Sequence, residues 1–277
     1  MTVRIVTDSS CDMRGSEIDD FNIEVVPLSI RFGDDEFIDR EELTVEDFYY
    51  RLNRSPELPE TSAPSPGRFA QAFESHLESG ADSIVCINLS AGLSATMQSA
   101  VTAADGIDAD IRVIDSRTIT AGLGTIVLAA AKLAADGADT DTVVEAVESM
   151  SRRTHVFGAL DTLDNLKKGG RIGGAQALLG SMLAIKPIID ISSGEVEEAA
   201  KQRTRRKSLI WLRDKLAEYP AVENLAVMHG EAPDIEDFLS MLETSIPHEV
   251  TRVDKIGAVI GTHGGPRVMG IALQIPA

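Results

Sequence analysis

Short runs rich in Val and Ile alternate with longer helical stretches along the whole chain, and this alternation narrows the fold more than anything else in the sequence. It is the signature of an α/β protein, with parallel strands as the expected arrangement. Val3-Arg4-Ile5-Val6-Thr7 reads as a first strand, and Asp8-Ser9-Ser10 as the turn and helix cap that follow it. Further strands are expected at Glu24 to Leu28, Ser83 to Asn88 and Ile111 to Ile114. Helices are expected at Val45 to Asn53, Gly67 to Glu78, from about Ser94, at Ala121 to Ala135 and at Thr140 to Met150, with a Pro-rich loop over Pro56 to Pro66.

The 277 residues suffice for two domains, and the boundary is expected just after the helix ending at Met150. That divides the chain into an N-terminal α/β lobe, 1–152, and a C-terminal α/β lobe, 153–277. In the second half, strands are expected near Val156 to Ala159, Pro187 to Ile191, Leu225 to Met228 and Glu249 to Val253. Helices are expected at Thr204 to Glu218 and Ile235 to Thr244, before a Gly-rich stretch from Ile256 to Gly270 that leads into a last strand. Two stacked lobes leave a cleft between them, a frequent place for a ligand. With 43% apolar residues but only 4% aromatics, that cleft and the cores beside it must be walled by aliphatic side chains.

The net charge of −18 argues against nucleic acid, because no excess of cations is available to neutralise phosphates. It argues equally against tight docking on anionic membranes. The longest apolar runs, such as Ile126 to Ala131, are far too short for a stable membrane insertion. The opening residues lack the basic start and long apolar stretch of a signal peptide, so a cytoplasmic protein is expected. Two isolated cysteines, Cys11 and Cys86, offer neither a disulfide framework nor zinc spacing, and Cys86 reads as a small buried hydrophobe. The five histidines form no HxxxH or HExxH pair, so no metal is expected.

Single motifs are ambiguous. Lys168 to Gly174 has glycines and a lysine but not the order of a phosphate loop, and Gly122-Leu123-Gly124 lacks the third glycine of a dinucleotide fingerprint. Ser90 and Ser94 follow a strand, with His263 far downstream. However, Asn88 stands where a nucleophile elbow needs glycine, and no acid is evident to orient His263. Ser90 reads equally well as a helix cap, and Ser94 as an anion ligand. His263, within Gly261 to Pro266, is expected in a flexible loop facing a ligand. Thr61-Ser62-Ala63-Pro64-Ser65-Pro66 places hydroxyls before a helix, where a cap or a carboxylate site is expected.

Taken in order, these segments resemble the DegV family over nearly the whole chain. The matches are Val6-Thr7-Asp8-Ser9-Ser10, Val26-Pro27-Leu28, Thr61 to Ser65, Leu93 to Ala100 and Asp115-Ser116. They continue with Leu166 to Ile172, Lys186-Pro187-Ile188, Arg203 to Lys207 and Ile260 to Pro266. The resemblance implies two α/β lobes with a long-chain fatty acid, of the palmitate kind, buried between them. It further implies that Thr61, Ser94 and His263 hold the carboxylate, that Arg171 lies at the pocket mouth, and that Arg203 faces a partner. That partner is a separate, dihydroxyacetone-kinase-like fatty acid kinase that makes an acyl phosphate. The chain is then a lipid-binding subunit with no catalytic residue and no cofactor beyond the bound fatty acid. Two other readings stay open: an acyl hydrolase using Ser94 and His263, or a carrier of another apolar acid without a kinase. Ala95 and Met97 depart from the family's glycine and aromatic, and are expected to tighten the turn presenting Ser94 and to soften the adjacent wall. Ala63 and Arg267 depart from a common glutamine and glycine.

Overall fold

The computed structural model describes residues 2–178 and 185–277. Its strands are β1 (Val3–Asp8), β2 (Glu24–Val26), β3 (Ser29–Phe32), β4 (Asp35–Ile38), β5 (Glu60–Ser62), β6 (Ser83–Asn88) and β7 (Asp110–Asp115) in the first half. Then come β8 (Thr154–Ala159), β9 (Lys186–Asp190), β10 (Glu197–Gln202), β11 (Asn224–His229), β12 (Arg252–Lys255) and β13 (Met269–Gln274). The helices are α1 (Gly15–Asp20), α2 (Val45–Leu52), α3 (Pro66–Glu78), α4 (Thr96–Ala104), α5 (Thr120–Ala135), α6 (Thr140–Arg153), α7 (Asp164–Lys168), α8 (Arg205–Ala217), α9 (Ile235–Glu243) and α10 (Ala258–Gly264).

Local chemistry accounts for four of the helix starts. Thr44 accepts from the Asp47 amide, Asp139 from Thr142 and Thr204 from Lys207, each satisfying an amide left free at a helix N-terminus. Pro66 opens α3 at a position where a missing N–H costs nothing. Phe69, Ala72, Phe73 and His76 then form its buried stripe at helical spacing.

Among the described residues the strands form three sheets. The first, in the order β2-β1-β6-β7, is parallel throughout. Helices on both faces bury β6 at every residue, as a parallel sheet requires. The second has the order β10-β9-β8-β13-β11-β12 and is antiparallel except for β11 with β12. The expectation of parallel strands therefore holds for the first sheet and for β11 with β12, but not for the rest. Hydrophobic period reveals a strand but not its direction, and β13 returns from the chain end to lie between β8 and β11. The third sheet, β4-β3-β5, takes in residues read as loop, including Glu60–Ser62 of the Pro-rich segment. β3 and β4 are joined by Gly33-Asp34, with Gly33 at φ +61°, a tight hairpin turn.

A large aliphatic cluster fills the space between the two main sheets, from Val85, Ile87 and Leu123 to Val156, Ile189 and Met228. A second cluster, with Phe157, Leu212, Phe238 and Ile271, fills the far side of the antiparallel sheet under α8 and α9. Among the described residues no helix is long and apolar enough to cross a membrane.

Candidate ligand-binding site

An apolar cavity opens between the two main sheets. On one side it meets Leu28, Leu89, Leu93 and Ile119, which lie just beyond the C-terminal ends of β2, β6 and β7. That is where ligands bind to parallel α/β sheets, because the strand-to-helix loops fan apart there. On the other side lie Val156, Gly158, Ile189 and Met228 of the antiparallel sheet, with Val259, Ile260 and His263 of α10. Its wall is aliphatic but for a few polar residues, among them Thr61, Ser94, Arg171 and His263.

Those four come from distant parts of the chain. Thr61 sits on β5, paired with Ile30 of β3, and Ser94 lies just ahead of α4. Arg171 follows the glycines after α7, and His263 lies in α10. Thus His263 stands on a short helix, where a loop was expected. Two glycines make this possible by close approach. A Cβ at Gly261 would lie 2.7 Å from both Phe48 and Tyr49, so only glycine lets α10 settle on α2. A Cβ at Gly169 would lie 2.4 Å from His263 Nδ1, so the imidazole rests against bare backbone. Tyr49 Oη donates to the Ile256 carbonyl at 3.0 Å, and Asn165 Nδ2 to the Thr262 carbonyl at 2.8 Å, fixing both ends of α10.

Only Thr61 and His263 are joined to each other; Arg171 and Ser94 are held by other neighbours. Thr61 Oγ1 and His263 Nε2 are 2.9 Å apart. Arg171 donates from Nε to the Leu93 carbonyl at 3.1 Å and from Nη1 to the Gly169 carbonyl at 2.6 Å, bridging the two halves beside Ser94. Ser94 Oγ lies 2.8 Å from Thr96 Oγ1 and accepts from the Thr96 amide at 3.3 Å. Burial, aided by the Arg171 charge, pushes the His263 pKa down to about 4 and holds the ring neutral. Its Nδ1 is buried with no hydrogen-bond partner among the described residues.

Arg203 is not brought to this cluster. It lies exposed on the bend between β10 and α8, away from the cavity wall. Met97 also lies outside the wall, so its chemistry does not soften it. Ser90 does not cap α4; its hydroxyl donates to the Gly194 carbonyl at 2.5 Å and ties the β6–α4 loop to the β9–β10 hairpin. Arg267 adopts φ +63°, a left-handed conformation that glycine takes without strain. Both cysteines are free and buried, and burial pushes the Cys11 thiol up to about 12. No cluster of His, Cys, Asp and Glu able to hold a metal ion occurs among the described residues.

The sequence did not single out the aliphatic wall, because strand residues lining a cavity look like residues filling a core. One signal was available: glycines at 158 and 270, inside strands that otherwise read as apolar.

A family model described as "Uncharacterised protein, DegV family" matches residues 2–275. A DegV domain-containing protein of Streptomyces coelicolor is 37% identical over 276 residues, covering 98% of each chain. A solved fatty-acid-binding DegV family protein from Thermus thermophilus superposes with a TM-score of 0.91 at 31% identity, covering 100% of both chains. A stearic-acid-binding protein from Eubacterium ventriosum gives 0.89 at 26% identity, covering 99% of this chain and 98% of its own.

Proposed function

The chain belongs to the DegV family, and from that premise we propose that it is a cytoplasmic fatty-acid-binding protein which presents its ligand's carboxylate to a separate ATP-dependent kinase. The observation that carries this reading is one aliphatic cavity bordered by Thr61, Ser94, Arg171 and His263. Burying an acyl chain contributes ~0.8 kcal/mol per methylene, so a dozen give on the order of 10 kcal/mol before ordering costs. Aliphatic walls suffice for that term. The carboxylate needs donors, since an unpaired buried anion is very costly. Thr61 and Ser94 hydroxyls supply them, with the neutral His263 ring acting through Thr61, whose Oγ1 lies 2.9 Å from its Nε2, and with Arg171 at the mouth lending positive charge. Arg203, exposed and outside the cavity, is assigned to the kinase contact. The lobes are taken to divide at 152/153, so that Thr61 and Ser94 come from one and Arg171 and His263 from the other.

The test is mass spectrometry of the organic extract from freshly purified protein. Near-stoichiometric fatty acid in the wild type, lost in Ser94→Ala, is expected. An empty extract together with no uptake of added fatty acid removes the reading. Incubation of the loaded protein with a matched kinase and ATP should yield acyl phosphate, and failure there would leave a carrier without a kinase.

A further inference from the structure

Across the middle of the antiparallel sheet, four residues stand side by side on the face toward the cavity. Gly158 of β8 pairs with Gly270 of β13; Ile189 of β9 flanks the first and Met228 of β11 flanks the second. All four border the cavity. The row therefore runs bulky, bare, bare, bulky, and among the described residues leaves a trough between Met228 and an Ile189 whose Cγ1 lies 3.4 Å from where a Gly158 Cβ would sit.

Glycine inside a strand weakens it, so a facing pair in a central position needs a reason. Backbone conformation does not supply one, because neither residue has a positive φ. Nor does crowding among the described residues. A Cβ at Gly158 would meet Ile189 at 3.4 Å, and one at Gly270 would meet the Phe157 carbonyl at 3.4 Å, both ordinary contacts. What the glycines do is uncover the main chain. Phe157 and Ile271 send their side chains into the cluster on the opposite face of the sheet, yet both border the cavity. They reach it through backbone that a neighbouring side chain would otherwise cover.

We infer that the Gly158–Gly270 trough is the specificity-determining floor of the acyl site, receiving the ligand's hydrocarbon chain on bare backbone between Ile189 and Met228. The inference rests on the fatty-acid reading above. The missing side chains are the room that a long or bent chain occupies. Methyl groups added here narrow the trough and leave Thr61, Ser94, Arg171 and His263 untouched.

Delipidated wild type, Gly158→Ala, Gly270→Ala and the double variant would each be offered an equimolar mixture of laurate, myristate, palmitate, stearate and oleate. The retained acids are then extracted and quantified by mass spectrometry. Total occupancy should persist, with stearate and oleate falling about tenfold relative to myristate in the double variant, the scale of excluding a methylene-sized group from an apolar pocket. The same chain profile in wild type and all variants overturns the inference while leaving fatty-acid binding intact. A wild type that takes up none of the acids overturns the underlying reading as well. The alanine variants should melt within a few degrees of wild type. A large loss of melting temperature in both would show that the glycines serve folding, and would also overturn the inference.

Discussion

Two buried polar clusters in this molecule are built on opposite principles. Around Asp12 every oxygen is taken. Oδ1 accepts from Arg40 Nη2 at 3.1 Å and the Gly257 amide at 3.0 Å, Oδ2 from Thr120 Oγ1 at 2.7 Å, and the main-chain carbonyl from Arg252 Nη2 at 2.8 Å. Those bonds draw together the loop after β1, the segment after β4, α5 and the residues leading into α10. At the cavity, by contrast, Ser94 and Thr61 each spend their hydroxyls on one neighbouring side chain, and His263 Nδ1 is left without a partner among the described residues. Asp12 itself is therefore fully satisfied and structural, although beside it Arg40 Nε and the Asp39 carboxylate oxygens are buried without a hydrogen-bond partner among the described residues. The Thr61 and Ser94 hydroxyls, which border an aliphatic cavity, keep hydrogen-bonding capacity for a ligand, whereas the free Nδ1 of His263 is packed against the Gly169 backbone.

The comparison predicts that damage to the two clusters should read out differently. The largest effect is expected for Asp12→Ala, which takes an ion-pair partner from the half-buried Arg40 guanidinium and strands two other donors. A loss of about 3–5 kcal/mol in denaturant unfolding is anticipated, on the scale of breaking a buried ion pair. A loss below about 1 kcal/mol would mean that Asp12 is not the hub described. Next comes Thr61→Val, which keeps shape but removes the hydroxyl facing His263. Hydrogen bonds to charged groups are worth about 1.5–3 kcal/mol, so fatty-acid affinity should fall about 10- to 100-fold by displacement of a fluorescent acid. Its melting temperature should hardly move, and a fall matching that of Asp12→Ala would erase the distinction.

A third effect concerns pH. With its folded pKa depressed from 6.5 to about 4, His263 contributes stability that is fully present above pH 6.5. It is lost as pH falls from there toward about 4, because the unfolded chain takes up the proton first. Between pH 7 and pH 4 the wild type should lose melting temperature relative to His263→Gln, which has no proton to take up. Parallel curves would show that the ring is not held neutral by the fold. The smallest effect is expected on the aliphatic floor. Ile189→Val should cost about 0.5–1.5 kcal/mol in stability and change affinity only a few-fold.

Much of the parallel half was legible in the residues. β6 matches its expected bounds, and α2 and α3 match theirs to within a residue or so. Each carries a strong local signal: an unbroken apolar run, a Thr cap, a Pro at the first helical turn. The Glu-rich strand β10, Glu197–Gln202, was not legible, because it has little intrinsic preference for a strand and forms only against β9. Nor was α10, whose Gly261 and Gly264 weaken a helix that packing on α2 and α7 then stabilises. The Gly33-Asp34 hairpin was a readable signal that went unread.

Of the candidate site, Thr61, Ser94, Arg171 and His263 were identified by resemblance of their motifs, and Arg203 with them. Their separate spacings in the chain carry no information about distance. Tertiary structure alone decided that the first four border one cavity, that Arg203 does not, and that the cavity floor is bare at Gly158 and Gly270. The reason is physical. Local sequence determines caps, turns and hydrophobic period through contacts a few residues apart. A binding site is made of contacts far apart in the chain, such as Thr61 with His263 at a separation of 202, and these exist only once two sheets have closed on each other.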